Sequence, residues 1–456
     1  EEAAAAPPTA PPVVPDTEAP AVPANDVNTR QAADFDPAAL RLPTRNEPTP
    51  GELIQGVERM RDQAYSDEDQ QVVNRYVESR QQYDSTDPQA FLLETASGYR
   101  DYLPQSAQAS LDSALQATYD QAVKNDLSYV LEQGTEGAFS QLPAEQQERV
   151  LGLLLNTGST QALLPEIQGR GGDAARTGTA SGEQGHYVNS PVSSFSQLIE
   201  QGRLDEDLLD SLEGLQASAH VQQDLQSQRE EIFTSTLQNI AFPERIAQHS
   251  KGTCAATRVE MVLAMEDPAK YTDTIKRLAT PSGRARVGSA FLERVPGTTE
   301  NDASGRSVAS RLLQPALMEY ANGVQLDYDN QADRHQVAQA GTQHLRDGRD
   351  GLTLDETRRL VGGTFGDERM VEQSSIYGGD AKPRAEVVAD TEALMTEQSP
   401  PLLVDLDWGD NGEGGNGGHA LLLTHLDDEQ AYFMNPWGSL DTMPREAFDA
   451  RLRTSI

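Results

Sequence analysis

The sequence predicts a mixed α+β protein in which helices come first and an antiparallel sheet lies near the C-terminal end. From about residue 51, apolar residues recur at spacings of three and four, which is typical of amphipathic helices. Towards the end of the chain, short apolar runs bounded by turn residues predict strands instead. These runs are 402–408, 419–424 and 430–434.

Composition limits the classes of partner. The 456 residues carry a formal net charge of −36, and no cluster of Lys or Arg offsets it locally, so we expect neither nucleic acid nor an anionic membrane as a partner. The apolar runs are far shorter than the roughly 20 residues that a membrane-spanning helix needs. The acidity suggests a bacterial secreted or translocated protein, with a cytoplasmic protein as the alternative.

The chain divides into four predicted segments. Residues 1–50 hold 11 of the 26 prolines and show no hydrophobic period, which predicts a disordered Pro/Ala-rich tail. Residues 51–168 have helical periodicity throughout and predict an all-α module. A Gly/Ser-rich linker is expected at 169–193, and it precedes a C-terminal domain at 194–456. The helical module is interpreted as an inhibitory pro-segment or as a docking module for a protein partner.

The single cysteine of the chain, Cys254, excludes an intramolecular disulfide and a multi-cysteine zinc site. It follows a glycine-containing loop and precedes a helical stripe that should end at Asp267-Pro268. A cysteine at a helix N-terminus is favoured as the thiolate, which is the nucleophilic form. Taken alone, such a cysteine is more often a small buried hydrophobic residue.

A histidine and an asparagine further along the chain could assist a cysteine nucleophile. A glycine-rich loop over 412–418 delivers His419 at the start of one strand, and the next strand runs into Asn435. The turn at 427–429 joins the two strands, so a hairpin should bring His419 and Asn435 close together. A cysteine nucleophile needs a histidine to accept its proton, and the imidazole needs an acceptor that fixes its tautomer.

These residues resemble the papain-like cysteine peptidase superfamily. Gln248 stands six residues before Cys254, at the place of the family's oxyanion-hole glutamine, and Asn435 follows His419 at the family's interval. The motif Asn435-Pro-Trp-Gly438 resembles that of the calpain branch, in which the indole shields the hydrogen bond between asparagine and histidine. The resemblance implies catalytic roles for four residues: Cys254, His419, Asn435 and Gln248.

What the resemblance implies is a papain-like two-lobed domain over 194–456, with a helical lobe that carries the cysteine and an antiparallel sheet lobe that carries the histidine. The implied activity is hydrolysis of peptide bonds through an acyl-thioester, with a protein or peptide substrate. The same residues would serve a glutamine deamidase or a transglutaminase-like acyltransferase. A non-catalytic interaction or scaffold protein is the third alternative.

The sequence departs from the papain signature next to the nucleophile, where Lys251 stands in place of a cysteine and Ala255 in place of an aromatic residue. The long interval between Cys254 and His419 predicts an insertion, which should be mostly helical. One helix there should end at Asn322-Gly323. A capping box at Thr353–Glu356 should begin another that ends at Gly362-Gly363, and residues 384–398 should form a third.

No cofactor is predicted, because no glycine-rich phosphate loop is present. No metal is predicted either, since the remaining histidines are dispersed and the acidic stretch that begins with Asp405 and Asp407 does not match the EF-hand calcium template. His425 is the alternative to His419 as the base. We prefer His419 because of its position between loop and strand and its interval to Asn435.

Overall fold

The structure is a computed structural model. It describes residues 123–158, 190–218, 220–337, 351–366, 381–397, 401–408 and 418–456, together with residue 120 and the short pieces 179–180, 187–188, 344–347 and 374–377. The predicted disordered tail lies outside the described residues, as do the first 119 residues altogether. Most of the predicted linker also lies outside them.

The described helices come mainly before the principal sheet. A helical segment at 123–134 precedes them. The helices are α1 Ala138–Gln141, α2 Ala144–Leu155, α3 Pro191–Glu200, α4 Glu206–Gln216, α5 Arg229–Ala241, α6 Cys254–Glu266, α7 Pro268–Ala279, α8 Val308–Asn322, α9 Leu354–Phe365, α10 Arg384–Glu397 and α11 Arg445–Arg451. Three short 3₁₀ turns lie at Gln223–Gln228, Pro243–Arg245 and Gly323–Gln325.

The described strands form antiparallel sheets. They are β1 Thr179–Ala180, β2 Tyr187–Val188, β3 Arg284–Val287, β4 Ala290–Glu293, β5 Leu326–Asp329, β6 Arg334–Val337, β7 His344–Asp347, β8 Ser374–Ser375, β9 Leu402–Asp407, β10 Gly418–Leu426, β11 Gln430–Asn435, β12 Ser439–Pro444 and β13 Leu452–Ser455. The largest sheet has six strands in the order β12-β11-β10-β9-β13-β8. The other sheets pair β1 with β2, β3 with β4, and β5 with β6 and β7. The chain is therefore a mixed α+β protein, as the sequence predicts.

The six-stranded sheet contributes to two hydrophobic cores, because side chains of a strand alternate between its faces. Leu403 and Leu422 belong to the large core that the helices build. Their neighbours along the strands, among them Val404, Leu421 and Leu423, belong to a second core with side chains of α10 and α11. Strands buried on both faces read as continuous apolar runs. Helices therefore pack on both faces of this sheet.

Most of the helix ends predicted from the sequence agree with the structure. Helix α6 begins at Cys254 and ends before Asp267, and α8 ends at Asn322 with Gly323 at φ 69°, so both predictions are confirmed. The capping box at Thr353 and Glu356 is also present. However, the predicted end of α9 at Gly362-Gly363 is wrong, since the helix continues to Phe365. Gly363 serves packing instead, because a Cβ there would overlap the hydroxyl of Tyr320.

The described part of the segment between Cys254 and His419 is mostly helical, as predicted, and includes α7, α8, α9 and α10. It also contains strands that were not predicted, the hairpin β3–β4 and the small sheet β5–β6–β7. Each of these five strands has only four residues. Such short strands give too few alternations to be distinguished from loops in a sequence.

Contacts define one compact unit over Tyr119–Ile456. Within it, side chains of α2 and α3 share the large hydrophobic core with those of α6 and α8. The unit thus reaches further towards the N-terminus than the domain predicted at 194–456. Its helix α3 begins inside the predicted linker, where Ser190 accepts a hydrogen bond from the backbone N–H of Ser193 and Pro191 occupies the first turn.

A search of the described helices for a membrane span found none that is both long enough and apolar enough.

Candidate active site

Cys254 is the first residue of α6 and is partly exposed. No side chain caps this helix. The preceding Thr253 directs its hydroxyl to Oε1 of Gln314, 2.8 Å away, rather than to the first turn. The N–H groups at the start of α6 therefore remain available beside the sulfur, where they favour negative charge.

The loop before Cys254 orients Gln248. Nε2 of Gln248 donates a hydrogen bond of 2.8 Å to the carbonyl oxygen of Lys251. Because a carbonyl only accepts, this contact fixes which end of the buried amide carries the hydrogens. An amide nitrogen has two of them, and no described residue accepts the second. Gln248 can therefore present one N–H to a ligand.

Lys251 anchors the same loop. Its side chain is buried, and Nζ donates to the carbonyl oxygens of Asn330 at 2.8 Å and Gln331 at 3.2 Å. The next residue, Gly252, donates its N–H to Asp333 at 2.9 Å. The loop that holds Gln248 is thus tied to the turn between β5 and β6.

His419 and Asn435 are hydrogen-bonded, with Nε2 2.9 Å from Oδ1. The turn at Asp427–Glu429 joins β10 and β11, as the sequence predicts, and pairs Leu422 with Met434. This register places the first residues of β10 beside the end of β11. Asn435 is fully buried and His419 almost so. The pair lies in a setting where water competes little for the hydrogen bond.

Both tryptophans of the chain contact the His419 ring. Trp437 stacks on it with ring centroids 4.7 Å apart, and Trp408 approaches with its ring tilted at 61° and centroids 4.8 Å apart. The two indoles also contact each other at 5.6 Å. The imidazole thus packs against two aromatic rings, one stacked on it and one tilted, which restricts its orientation.

The segments that carry Cys254 and Asn435 are joined directly. The backbone N–H of Gln248 donates to the carbonyl of Pro436 at 2.7 Å, and Ala247 forms an isolated β-bridge with Trp437. In addition, the backbone N–H of Ala420, the residue after His419, faces the Cys254 sulfur and acts to lower the pKa of the thiol. The structure thus brings all four predicted site residues together.

No hydrogen bond joins the Cys254 thiol to the His419 ring in the described part of the chain. Burial raises the pKa of the Cys254 thiol, although the Ala420 N–H and the Arg258 charge act in the opposite direction. Burial also lowers the pKa of His419, while its hydrogen bond to Asn435 raises it. Burial therefore favours the neutral form of both groups.

An ion pair lies one helical turn after the cysteine. The side chain of Arg258 is fully buried, and its Nη1 is 2.8 Å from Oδ1 of Asp405 and 2.9 Å from the carbonyl of Val404. Its Nε and Nη2 have no partner among the described residues. Asp405 pairs with Ala420 across the β9–β10 register, so this contact ties α6 to β9, the strand next to the one that carries His419.

Sequence reasoning missed Trp408, Arg258, Asp405 and Asp441. Oδ2 of Asp441 accepts a hydrogen bond of 2.6 Å from Nδ2 of Asn435. A tryptophan at the end of a predicted strand and an arginine within the apolar face of a helix were the signals available for Trp408 and Arg258. Asp441 had no signal beyond its short distance from Asn435 along the chain.

His425, the alternative base, and the acidic stretch that begins with Asp405 make other contacts. The His425 side chain is largely exposed and is 3.8 Å from Asp427. Asp405 and Asp407 of the acidic stretch are engaged with arginines, Asp405 with Arg258 and Asp407 with Arg384 and Arg453. The rest of that stretch, 409–417, lies outside the described residues. Among those described, no group of acidic, histidine or cysteine side chains could hold a metal ion.

A cavity of about 240 Å³ lies away from this site, between α4, α5 and α7, and its lining includes Phe233, Arg229 and Lys276. None of the four predicted site residues lines it.

Comparison with protein-family models, with curated proteins and with solved structures gave no match.

Proposed function

We propose that this protein is a cysteine peptidase of the papain-like kind. In this proposal the helical layer that contains α6 and the six-stranded sheet are the two lobes, and the substrate peptide binds between them. The observation that carries the proposal is the hydrogen-bonded pair of His419 and Asn435, flanked by two indoles, with the next residue, Ala420, facing the sulfur of Cys254. A buried imidazole with a fixed tautomer next to a thiol is the requirement for a cysteine nucleophile.

The reaction would proceed through an acyl-thioester. Sγ of Cys254 attacks the carbonyl carbon of the scissile peptide bond, and its proton passes to Nδ1 of His419, since Nε2 is engaged with Asn435. The N–H of Cys254 and the second hydrogen of the Gln248 amide stabilise the oxyanion. His419 then returns the proton to the leaving amine. Water hydrolyses the thioester, with His419 again accepting and returning a proton.

The pKa shifts of His419 and Cys254 determine how the rate of this reaction depends on pH. His419 must be neutral to accept the thiol proton, and the neutral fraction increases as the pH rises through its pKa. Because burial lowers that pKa below the ordinary value of 6.5, the rate should reach its plateau by neutral pH. Without His419 the rate would follow the raised pKa of the Cys254 thiol and increase only under alkaline conditions.

A substrate experiment tests the proposal. We expect purified protein to cleave members of a peptide library and to form one covalent adduct with a peptidyl epoxide at Cys254. Cys254→Ala should abolish both, because the chain has no other thiol. Mass spectrometry of the products distinguishes the alternatives, since a deamidase would convert glutamine side chains and an acyltransferase would join an added amine, both without cleavage. Absence of all three products with properly folded protein would contradict the proposal.

A further inference from the structure

Asp441 lies on β12, opposite Phe433 of β11, and is half-buried. Its carboxylate accepts the 2.6 Å hydrogen bond from Nδ2 of Asn435. The turn that contains Gly438 at φ 84° returns the chain so that Asp441 reaches the side chain of a residue six positions earlier. The contact is therefore part of the hairpin geometry that holds Asn435.

The contact determines which way the Asn435 amide points. The two ends of an amide have nearly the same shape, but one donates hydrogen bonds and the other accepts them. A carboxylate can only accept, so Nδ2 must face Asp441. The backbone N–H of Trp437 can only donate, and it lies 3.1 Å from Oδ1. Both neighbours select the same orientation.

The orientation of the amide in turn determines the state of His419. Because Oδ1 accepts from Nε2 at 2.9 Å, the neutral ring carries its hydrogen on Nε2 and its lone pair on Nδ1. A reversed amide would present N–H groups to Nε2 and would favour the opposite tautomer. That ring would have no lone pair on Nδ1 to accept a proton from Cys254.

We propose that Asp441 is a positioning residue that locks the Asn435 amide and thereby keeps His419 in the tautomer able to deprotonate Cys254. The catalytic part of this inference rests on the proposed function. The charge of Asp441 has a second effect, because it favours the imidazolium that forms when His419 accepts the proton. Asp405 acts in the same direction, whereas Arg258 opposes it.

Three variants test the inference. Asp441→Asn retains the shape of the side chain but replaces the carboxylate by an amide. Either this amide or that of Asn435 can then reverse. Asn435→Asp places two carboxylates against each other. The double variant Asn435→Asp/Asp441→Asn restores one donor facing one acceptor, with the donor now on residue 441. Asp428→Asn, which removes an exposed carboxylate in the β10–β11 turn, is the matched control.

The rate of Cys254 alkylation by iodoacetamide should fall about 10- to 100-fold in Asp441→Asn, as is common for the loss of a residue that orients a ligand or base. The alkylation rate of Asn435→Asp should fall at least as far. The double variant should recover most of the lost rate. Asp428→Asn should match the wild type. In Asp441→Asn, kcat for peptide hydrolysis should fall with little change in KM. As the pH rises, the rate should reach a lower plateau than in the wild type.

A spectroscopic measurement separates this inference from the proposed function. In protein with ¹⁵N-labelled histidine, the ring shifts of His419 should report the Nε2–H tautomer in the wild type and a mixture in Asp441→Asn. Unchanged ring shifts in Asp441→Asn, or a double variant that alkylates no faster than Asn435→Asp, would overturn the role of Asp441. If the wild-type thiol were unreactive while the tautomer still depended on Asp441, the proposed function would fail and the positioning role would stand.

Discussion

Replacing His419 by alanine is expected to lower the rate constant for peptide hydrolysis by about 10²- to 10⁴-fold, the range that a general acid and base contributes. In the proposed mechanism His419 accepts the Cys254 proton and later protonates the leaving amine. Its loss leaves a thiol whose pKa is raised by burial and which has no base beside it. KM should change little, because the ring contacts the reacting atoms rather than the bulk of the peptide. Steady-state kinetics with a fluorogenic peptide measures both constants.

His425→Ala is the matched control for this result. It removes the same side chain from the same strand, six residues further along, where the ring is largely exposed. The rate constant of this variant should equal that of the wild type. Equal losses in the two variants, or a larger loss in His425→Ala, would show that His419 is not the base.

Replacing Asp405 by asparagine should give the largest loss of stability, about 3–5 kcal/mol in the free energy of unfolding. The variant leaves the fully buried guanidinium of Arg258 without its counter-ion, and two of the Arg258 nitrogens already have no partner among the described residues. Arg258→Met should cost less, about 1–3 kcal/mol, because the Asp405 carboxylate left behind is a quarter exposed and can be hydrated. Urea-induced unfolding followed by tryptophan fluorescence measures both, since both indoles flank His419.

An exposed pair on the β3–β4 hairpin serves as the control for this prediction. Arg284 lies 3.0 Å from Glu293, and both side chains are more than half exposed. Glu293→Gln should change the free energy of unfolding by no more than about 0.5 kcal/mol, as surface ion pairs contribute little. A cost for Asp405→Asn no larger than that of Glu293→Gln would mean that the buried pair does not hold α6 against the sheet.

The parts of the site that were predicted from the sequence depend on local signals. A glycine-containing loop before a helical stripe places Cys254 at the start of α6, and a short turn between two apolar runs places His419 beside Asn435. In each case a few adjacent residues determine the local geometry. The ends of α6 and α8 were predictable for the same reason, because Pro268 and Gly323 stop these helices directly.

The remaining contacts could not be predicted because they join elements that are distant along the chain. Arg258 reaches the carbonyl of Val404 across 146 positions, and its partner Asp405 is equally remote. Nothing in the spacing of α6 indicates which strand it will pack against. Gly363 was misinterpreted as a helix end for a similar reason, because only the packed structure shows that Tyr320 occupies the space beside it. Tertiary packing decided each of these positions.

The most direct test of the account is the rate of Cys254 alkylation by iodoacetamide as a function of pH, read by intact mass in the wild type and in His419→Ala. We expect wild-type labelling to rise through an acid limb below pH 6.5 and to be constant at neutral pH, since the neutral imidazole accepts the thiol proton. In His419→Ala that labelling should disappear and return only under alkaline conditions. A wild-type profile that rises only under alkaline conditions and is unchanged in His419→Ala would show that Cys254 has no base, and would contradict the proposed function.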